Sequence, residues 1–244
     1  MIIKISAATH LGRTRETNQD AVAFSNHLLN SEDSGVIESS FQLKNTTRVC
    51  VLADGLGGHG GGDEASKFAV QELINVESSL NTSANIIDAI ENIHKAICWR
   101  NRTGDGPRTM GTTICGVAMG ADNLFWFNVG DSRVYAIEEN SISQLSIDDT
   151  PGGQRTGQTG SWITQCLGGS DRQPEISVHV GIIHKQSGIK ILLASDGLTG
   201  LVEDSSILKI IQNSPTGMEV KRLIDEANQA GGSDNVSVAL IDCQ

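Results

Sequence analysis

A chain of 244 residues with 38% hydrophobic content is long enough for one well-buried core, and its length allows one or two domains. The formal net charge of -11 argues against a nucleic-acid or anionic-membrane surface, and an enzyme acting on anions would need bound cations to reverse the local field. No apolar run reaches the length of a membrane span, and the N-terminus is too short and too polar for a signal peptide. The cysteines at 50, 98, 115, 166 and 243 are odd in number and scattered, with no Cys-x-x-Cys pair. Zinc is therefore not expected; reduced, buried thiols and a cytoplasmic protein are.

In chain order, Ile2 to Ala8 reads as a strand. A turn carrying Arg15 and Asp20 follows, then a short strand from Ala21 to Phe24. A turn with a surface ion pair and a site-facing pair are both open readings at this point. Residues 26 to 47 are polar and read as a long hairpin excursion. Val49 to Ala53 is an apolar run that reads as a buried strand ending on Asp54. A glycine-packed turn, Gly55-Leu-Gly-Gly-His-Gly60, leads to a helix starting near Asp63. A second helix fits Ala84 to Arg100, with Ile86, Ile90, Ile93 and Ile97 at helical spacing. His94, beside that stripe, reads as a packed or surface histidine.

Strands dominate next. Gly111 to Met119, Leu124 to Val129, Val134 to Ile137 and Ile142 to Leu145 are joined by short turns, which favours antiparallel pairing. Residues 146 to 173 show almost no apolar period. Strands fit Ile176 to Ile183 and Ile189 to Ala194, and helices fit Ser205 to Asn213 and Thr216 to Ala230. Gly231-Gly232 stops the last helix before a final strand, Val236 to Ile241. The order suits layered sheets with helices outside rather than β-α-β winding.

Four aspartates recur at strand mouths: Asp54, Asp131, Asp196 and Asp234. One Asp-Gly is most simply a turn. Four carboxylates at the ends of apolar runs repel one another and are costly to bury, so they are expected to converge on hard cations such as magnesium or manganese. Two such ions can acidify a shared water and stabilise charge on a phosphate ester, with Arg15 as a bidentate clamp on the phosphate. The glycine turn also satisfies a dinucleotide-binding pattern. That reading needs a second parallel strand with an acid roughly 20 residues on. Here the acid precedes the glycines and another helix follows, so the reading is set aside. His59 reads as a structural histidine of the turn. The serines at 132, 161 and 195 lack a nucleophile context.

Taken together, Arg15-Glu-Thr-Asn-Gln-Asp20, Asp54-Gly-Leu-Gly-Gly-His59, Gly111-Thr-Thr113, Gly130-Asp-Ser-Arg133, Ser195-Asp-Gly197 and Asp234-Asn235 resemble the ordered motifs of metal-dependent protein phosphatases of the 2C type, bacterial branch. The match runs from Ala8 to Asp242. The resemblance implies an α+β fold: a four-layer αββα sandwich of two antiparallel sheets flanked by helices, one catalytic domain over residues 1–244. It implies hydrolysis of phosphoserine and phosphothreonine in proteins by a water activated between two Mn2+ or Mg2+ ions, without a covalent intermediate. By position, Asp54, Asp196 and Asp234 would bind the first metal. Asp54 and the Gly55 carbonyl, with Asp20 in support, would bind the second, and Asp131 with Asp196 a weaker third. Arg15 would hold the substrate phosphate. The partner would be a phosphoprotein, a target of a cognate serine/threonine kinase.

Three departures stand out. Some relatives carry a histidine after the Asp-Gly where this chain has Leu56, so a metal-bound water would have to protonate the leaving group. His10 stands where bacterial members usually have Asp. The flap, about residues 146–173, is short. Two rival readings are a non-catalytic phosphoprotein-binding module of the same fold and a hydrolase of small phosphate esters.

Overall fold

The computed structural model describes residues 1–30, 35–57, 61–104, 109–151, 162–172 and 174–244. Among them the chain begins with strands β1 (Ile2–His10), β2 (Asp20–Phe24), β3 (His27–Leu29), β4 (Ile37–Gln42) and β5 (Arg48–Leu56). Helices α1 (Gly61–Asn75) and α2 (Ser83–Thr103) follow. Then come β6 (Gly111–Thr112), β7 (Ile114–Met119), β8 (Leu124–Val129), β9 (Arg133–Glu138), β10 (Ser141–Gln144), β11 (Leu167–Gly168), β12 (His179–Ile183) and β13 (Lys190–Ala194). The chain closes with α3 (Asp196–Thr199), α4 (Asp204–Asn213), α5 (Glu219–Gln229) and β14 (Val236–Cys243).

The strands form two sheets. One has the order β10-β9-β13-β14-β1-β4, the other β11-β6-β5-β7-β8-β12 with β2 and β3 paired beside β5. The pairings within them are antiparallel, as the short turns predict. Side chains alternate between faces along a strand, and here both faces are covered. Leu52 and Val117 of one sheet meet Ile5, Ile191 and Ile241 of the other. Their neighbours Val51 and Phe127 turn the opposite way, onto Leu73 of α1 and Ile86, Ile90 and Ile97 of α2. Leu192 and Val238 turn outward onto Leu198, Ile207 and Leu223 of the late helices. Three apolar layers therefore separate four layers of structure in the order helix, sheet, sheet, helix. Double-sided burial is why the strands read as continuous apolar runs. Each large aliphatic side chain so buried contributes roughly 1.5–3 kcal/mol.

Local signals set the helix ends. Thr82 Oγ1 accepts from Asn85 N–H at the start of α2, and Gly104, at φ 72°, ends it. Three expectations need correction. The polar excursion after β2 contains β4, which pairs with β1 and alternates half-buried with exposed positions along Ile-Glu-Ser-Ser-Phe-Gln. An edge strand with one wet face carries too weak a pattern to be read from composition. The run from Gly111 to Met119 breaks at Thr113 into β6 and β7. The strand expected from Ile176 starts only at His179. His94 is 2% exposed. Its Nδ1 accepts from Gly168 N–H at 3.0 Å, which places its proton on Nε2, 2.8 Å from the Pro174 carbonyl. Burial lowers its pKa, and its work is to pin Gly168 and Pro174 to α2.

Candidate active site

The register of the sheets brings the aspartates to one end of the sandwich. Asp54 of β5 lies directly opposite Asp20 of β2. Asp196 begins α3 just past β13, Asp234 precedes β14, and those two strands pair with Ala194 opposite Val238. Asp131 lies in the turn between β8 and β9. A cavity of about 760 Å³ opens there, lined by Arg15, Asp54, Gly55, Asp131, Asp196 and Asp234, with Gln19, Leu56, Ile163 and Asn235 around them. Asp20 lies behind Asp54 and is 1% exposed.

The electrostatics match that placement. Asp54 keeps some access to the cavity but is enclosed by protein, and burial pushes its pKa well above the ordinary carboxylate value. The charges of Asp20, Asp196, Asp131 and Asp234 push it further in the same direction. The Asp20 carboxyl is raised to about 7, first by burial and then by Asp196 and Asp234. The Ser237 and Ser195 hydroxyls pull it back down, yet neither makes a well-formed hydrogen bond to it. Ser195 Oγ accepts from Ser237 N–H at 2.9 Å, and Ser237 Oγ lies 2.7 Å from Thr9 Oγ1. Arg15 Nη2 donates to Asp234 Oδ2 at 2.6 Å. That bond, then the charges of Asp234, Asp196 and Asp54, raises the pKa of Arg15.

Backbone contacts hold these groups in place. Asp54 N–H donates to Thr113 Oγ1 at 3.0 Å, while its carbonyl accepts from Thr113 N–H and Thr112 Oγ1 at 2.9 Å each. Gly55 is a requirement of space: a Cβ there would lie 2.3 Å from the Gly62 carbonyl oxygen and 2.5 Å from that of Gln19. Asn235 pins the loop that carries Arg15. Its Oδ1 accepts from Gln19 N–H, and its Nδ2 donates to the Leu11 and Thr17 carbonyls. Thr113 and Asn235 stand inside the sequence motifs, but only the fold reveals their tasks, because the groups they bind lie 59 to 224 residues away.

The structure gathers Arg15, Asp54, Gly55, Asp131, Asp196 and Asp234 at one cavity, with Asp20 buried behind Asp54. It also departs from expectation. Arg15 and Asp234, given separate tasks by the sequence, touch each other. Among the described residues, no three His, Cys, Asp or Glu side chains stand in a ready-made metal cage. The donor chemistry nonetheless fits a hard divalent cation: the carboxylates facing the cavity are all oxygen donors, and both buried oxygens of Asp20 lack a hydrogen-bond partner. His10 faces another recess. Its Nδ1 accepts from Gly12 N–H at 2.8 Å and lies 3.3 Å from Asn228 Nδ2. Leu56 lines the cavity. His59 and Ser161, and the flap between residues 152 and 161, lie outside the described residues.

The model of the family described as protein phosphatase 2C matches residues 13–228. The chain belongs to the protein phosphatase 2C family. It is a metal-dependent serine/threonine protein phosphatase. It is similar to protein phosphatase PhpP of Streptococcus pneumoniae, at 31% identity with 98% of this chain and 97% of that one covered. It is similar also to the serine/threonine protein phosphatase PstP of Mycobacterium tuberculosis, at 29% identity over 80% of this chain and 40% of that longer protein. A crystal structure of PstP superposes with a TM-score of 0.81 at 25% identity, with both chains fully covered. A second structure, of the PstP catalytic domain in complex with two manganese ions, superposes with a TM-score of 0.78, 99% coverage of each chain and 25% identity. This 2C phosphatase therefore has the four-layer fold its motifs imply. Among its described residues, no helix is long and apolar enough to cross a membrane.

Proposed function

We propose that Asp54, Asp196 and Asp234 hold one manganese or magnesium ion, and that Asp54 and the Gly55 carbonyl, with Asp20 behind them, hold a second. Asp131 with Asp196 holds a weaker third. The observation that carries this reading is the Asp54 carboxylate, which feels four other aspartates at the edge of a single cavity. The two manganese ions in the structure of the PstP catalytic domain support a site for a pair of ions. Bound there, divalent ions would keep the carboxylates ionised, acidify a water and stabilise charge on a phosphoryl group.

The chain's own residues do the rest. Arg15, half-exposed at the rim, swings from Asp234 to clamp two phosphate oxygens. Leu56 and Ile163 wall the cavity beside the reacting group. Asn235 and Thr113 keep the Arg15 loop and Asp54 in register. The phosphoryl group passes directly to water without a covalent enzyme intermediate. Cys50 and Cys115 lie in the core with their thiol pKa values driven upward by burial, which unfits them as nucleophiles.

The substrate is a phosphoserine or phosphothreonine side chain of a protein, placed there by a serine/threonine kinase. Residues 1–244 form a single catalytic domain with a short flap at about 146–173. Five free thiols support a reducing, cytoplasmic setting. The test is phosphate release from a phosphothreonine peptide, with manganese and then with chelator. Release that ignores the chelator, or no release under either condition, refutes the mechanism.

A further inference from the structure

Asp131 sits in a turn that is held from outside the cavity. Gly130, just before it, has φ +100°, and a Cβ there would lie 2.7 Å from Thr113 Cβ and Cγ2. Only glycine fits that position. The Gly130 N–H donates to Asp149 Oδ2 at 2.7 Å, and its carbonyl accepts from Asp149 N–H at 3.0 Å. Asp149 thus grips both polar atoms of the residue that aims Asp131.

The same residue holds two further segments. Its Oδ2 accepts from Gln165 Nε2 at 2.7 Å, and its carbonyl accepts from Thr164 N–H at 2.6 Å. Those bonds fix the stretch containing Ile163, which lines the cavity. Asp149 Oδ1 lies 2.8 Å from His179 Nε2 of β12. A carboxylate only accepts, so the His179 proton is on Nε2. Asp149 is buried, and each carboxylate oxygen has a partner. Its neighbour Asp148 serves elsewhere: it accepts from Arg133 and Gln144. Two adjacent acids that look like one turn thus have separate tasks.

We propose that Asp149 is a positioning residue of the phosphoryl transfer. Through Gly130 and Thr164 it fixes the Asp131 carboxylate and the Ile163 wall relative to each other. It touches neither substrate nor cation, and the inference rests on the reading of Asp131 as a cation ligand. Partners that orient a ligand from behind typically tune metal affinity, and their loss weakens it on the order of 10- to 100-fold.

The experiment uses the full chain with Asp131→Asn, Asp149→Ala, Asp149→Asn and the Asp131→Asn/Asp149→Ala double variant. Mn2+ binding is measured by titration calorimetry, and kcat and KM are measured with a phosphothreonine peptide. Asp149→Ala is expected to weaken the weakest Mn2+ site on the order of tenfold. Asp149→Asn keeps an acceptor for Gly130 and is expected to recover most of that loss. The double variant is expected to bind Mn2+ no more weakly than Asp131→Asn alone. A role confined to stability would lower Tm in every Asp149 variant and leave Mn2+ affinity unchanged, which overturns the proposal. Should Asp149→Ala fail to fold, Asp149→Asn carries the comparison: a small loss of affinity that vanishes in the Asp131→Asn background supports the proposal, and no loss overturns it. If Asp131→Asn weakens Mn2+ binding while the Asp149 variants do not, this inference alone falls. If Asp131→Asn leaves Mn2+ binding intact, the cation role of Asp131 falls and this inference with it.

Discussion

Arg15 Nη2 sits 2.6 Å from Asp234 Oδ2, so the cation expected to hold phosphate rests on a carboxylate expected to hold an ion. The two side chains are 53% and 32% exposed, and a pair that wet is worth at most about 1 kcal/mol. A phosphate dianion or a divalent ion can displace either partner. Arg15→Ala should therefore bind Mn2+ more tightly, by up to roughly fivefold, because Asp234 is no longer shared. The same variant should lose roughly 10- to 100-fold in kcat/KM for a phosphopeptide, from the loss of charge-assisted hydrogen bonds to phosphate. Calorimetry and steady-state kinetics on one preparation check both signs, and Mn2+ binding weaker than wild type would contradict the competition.

Asp196→Asn should abolish turnover while the protein stays folded. Asp196 lines the same cavity as Asp54, and its charge helps to raise the pKa of both Asp20 and Asp54. Removing its charge removes a ligand assigned to two ions. Circular dichroism should be unchanged, and kcat with saturating Mn2+ should fall by at least about 100-fold, as befits loss of a metal ligand. Wild-type turnover in this variant would remove Asp196 from the site.

The buried Asp20 carboxyl gives a pH signature in chelated protein. Its pKa is 3.8 in the unfolded reference and about 7 in the fold. Below 3.8 both states hold the proton. Between about 4 and 7 the unfolded chain releases it first, so the stability contribution present at low pH is lost as pH rises through the folded pKa. Asp20→Asn removes that loss. In chelator, the variant should melt several degrees above wild type at pH 8, and the gap should shrink towards pH 5. Saturating Mn2+ should reverse the ranking at pH 8. Thermal denaturation at the two pH values decides; a gap that widens on acidification would contradict the sign.

Arg133 and Asp148 form an ion pair with side chains 11% and 1% exposed, joined by hydrogen bonds from Gln144 to Asp148 and from Arg133 to Tyr135. Truncating one partner leaves a charge without compensation in the interior, which costs about 3–5 kcal/mol. Asp148→Ala should lower Tm on the order of 10 °C for a chain of this size. A scanning-calorimetry shift within a degree of wild type would show that the pair is worth little.

The sequence by itself determined the strands that are buried on both faces, because they read as apolar runs, and the aspartates that end or follow them. It also determined the family, because six short motifs recur in order. It did not carry the edge strand β4, whose alternating half-wet pattern resembles a polar loop. Only the tertiary structure decided which acids share an environment. Asp20 faces Asp54 through strand register, and Arg15 meets Asp234 across 219 residues of chain. Asp148 and Asp149 are equivalent as letters, yet one neutralises Arg133 and the other braces Gly130. Charge and hydrogen bonding act over a few ångströms of space, whereas a sequence records only distance along the chain. The motifs therefore name the participants, and the packing of two sheets assigns their partners.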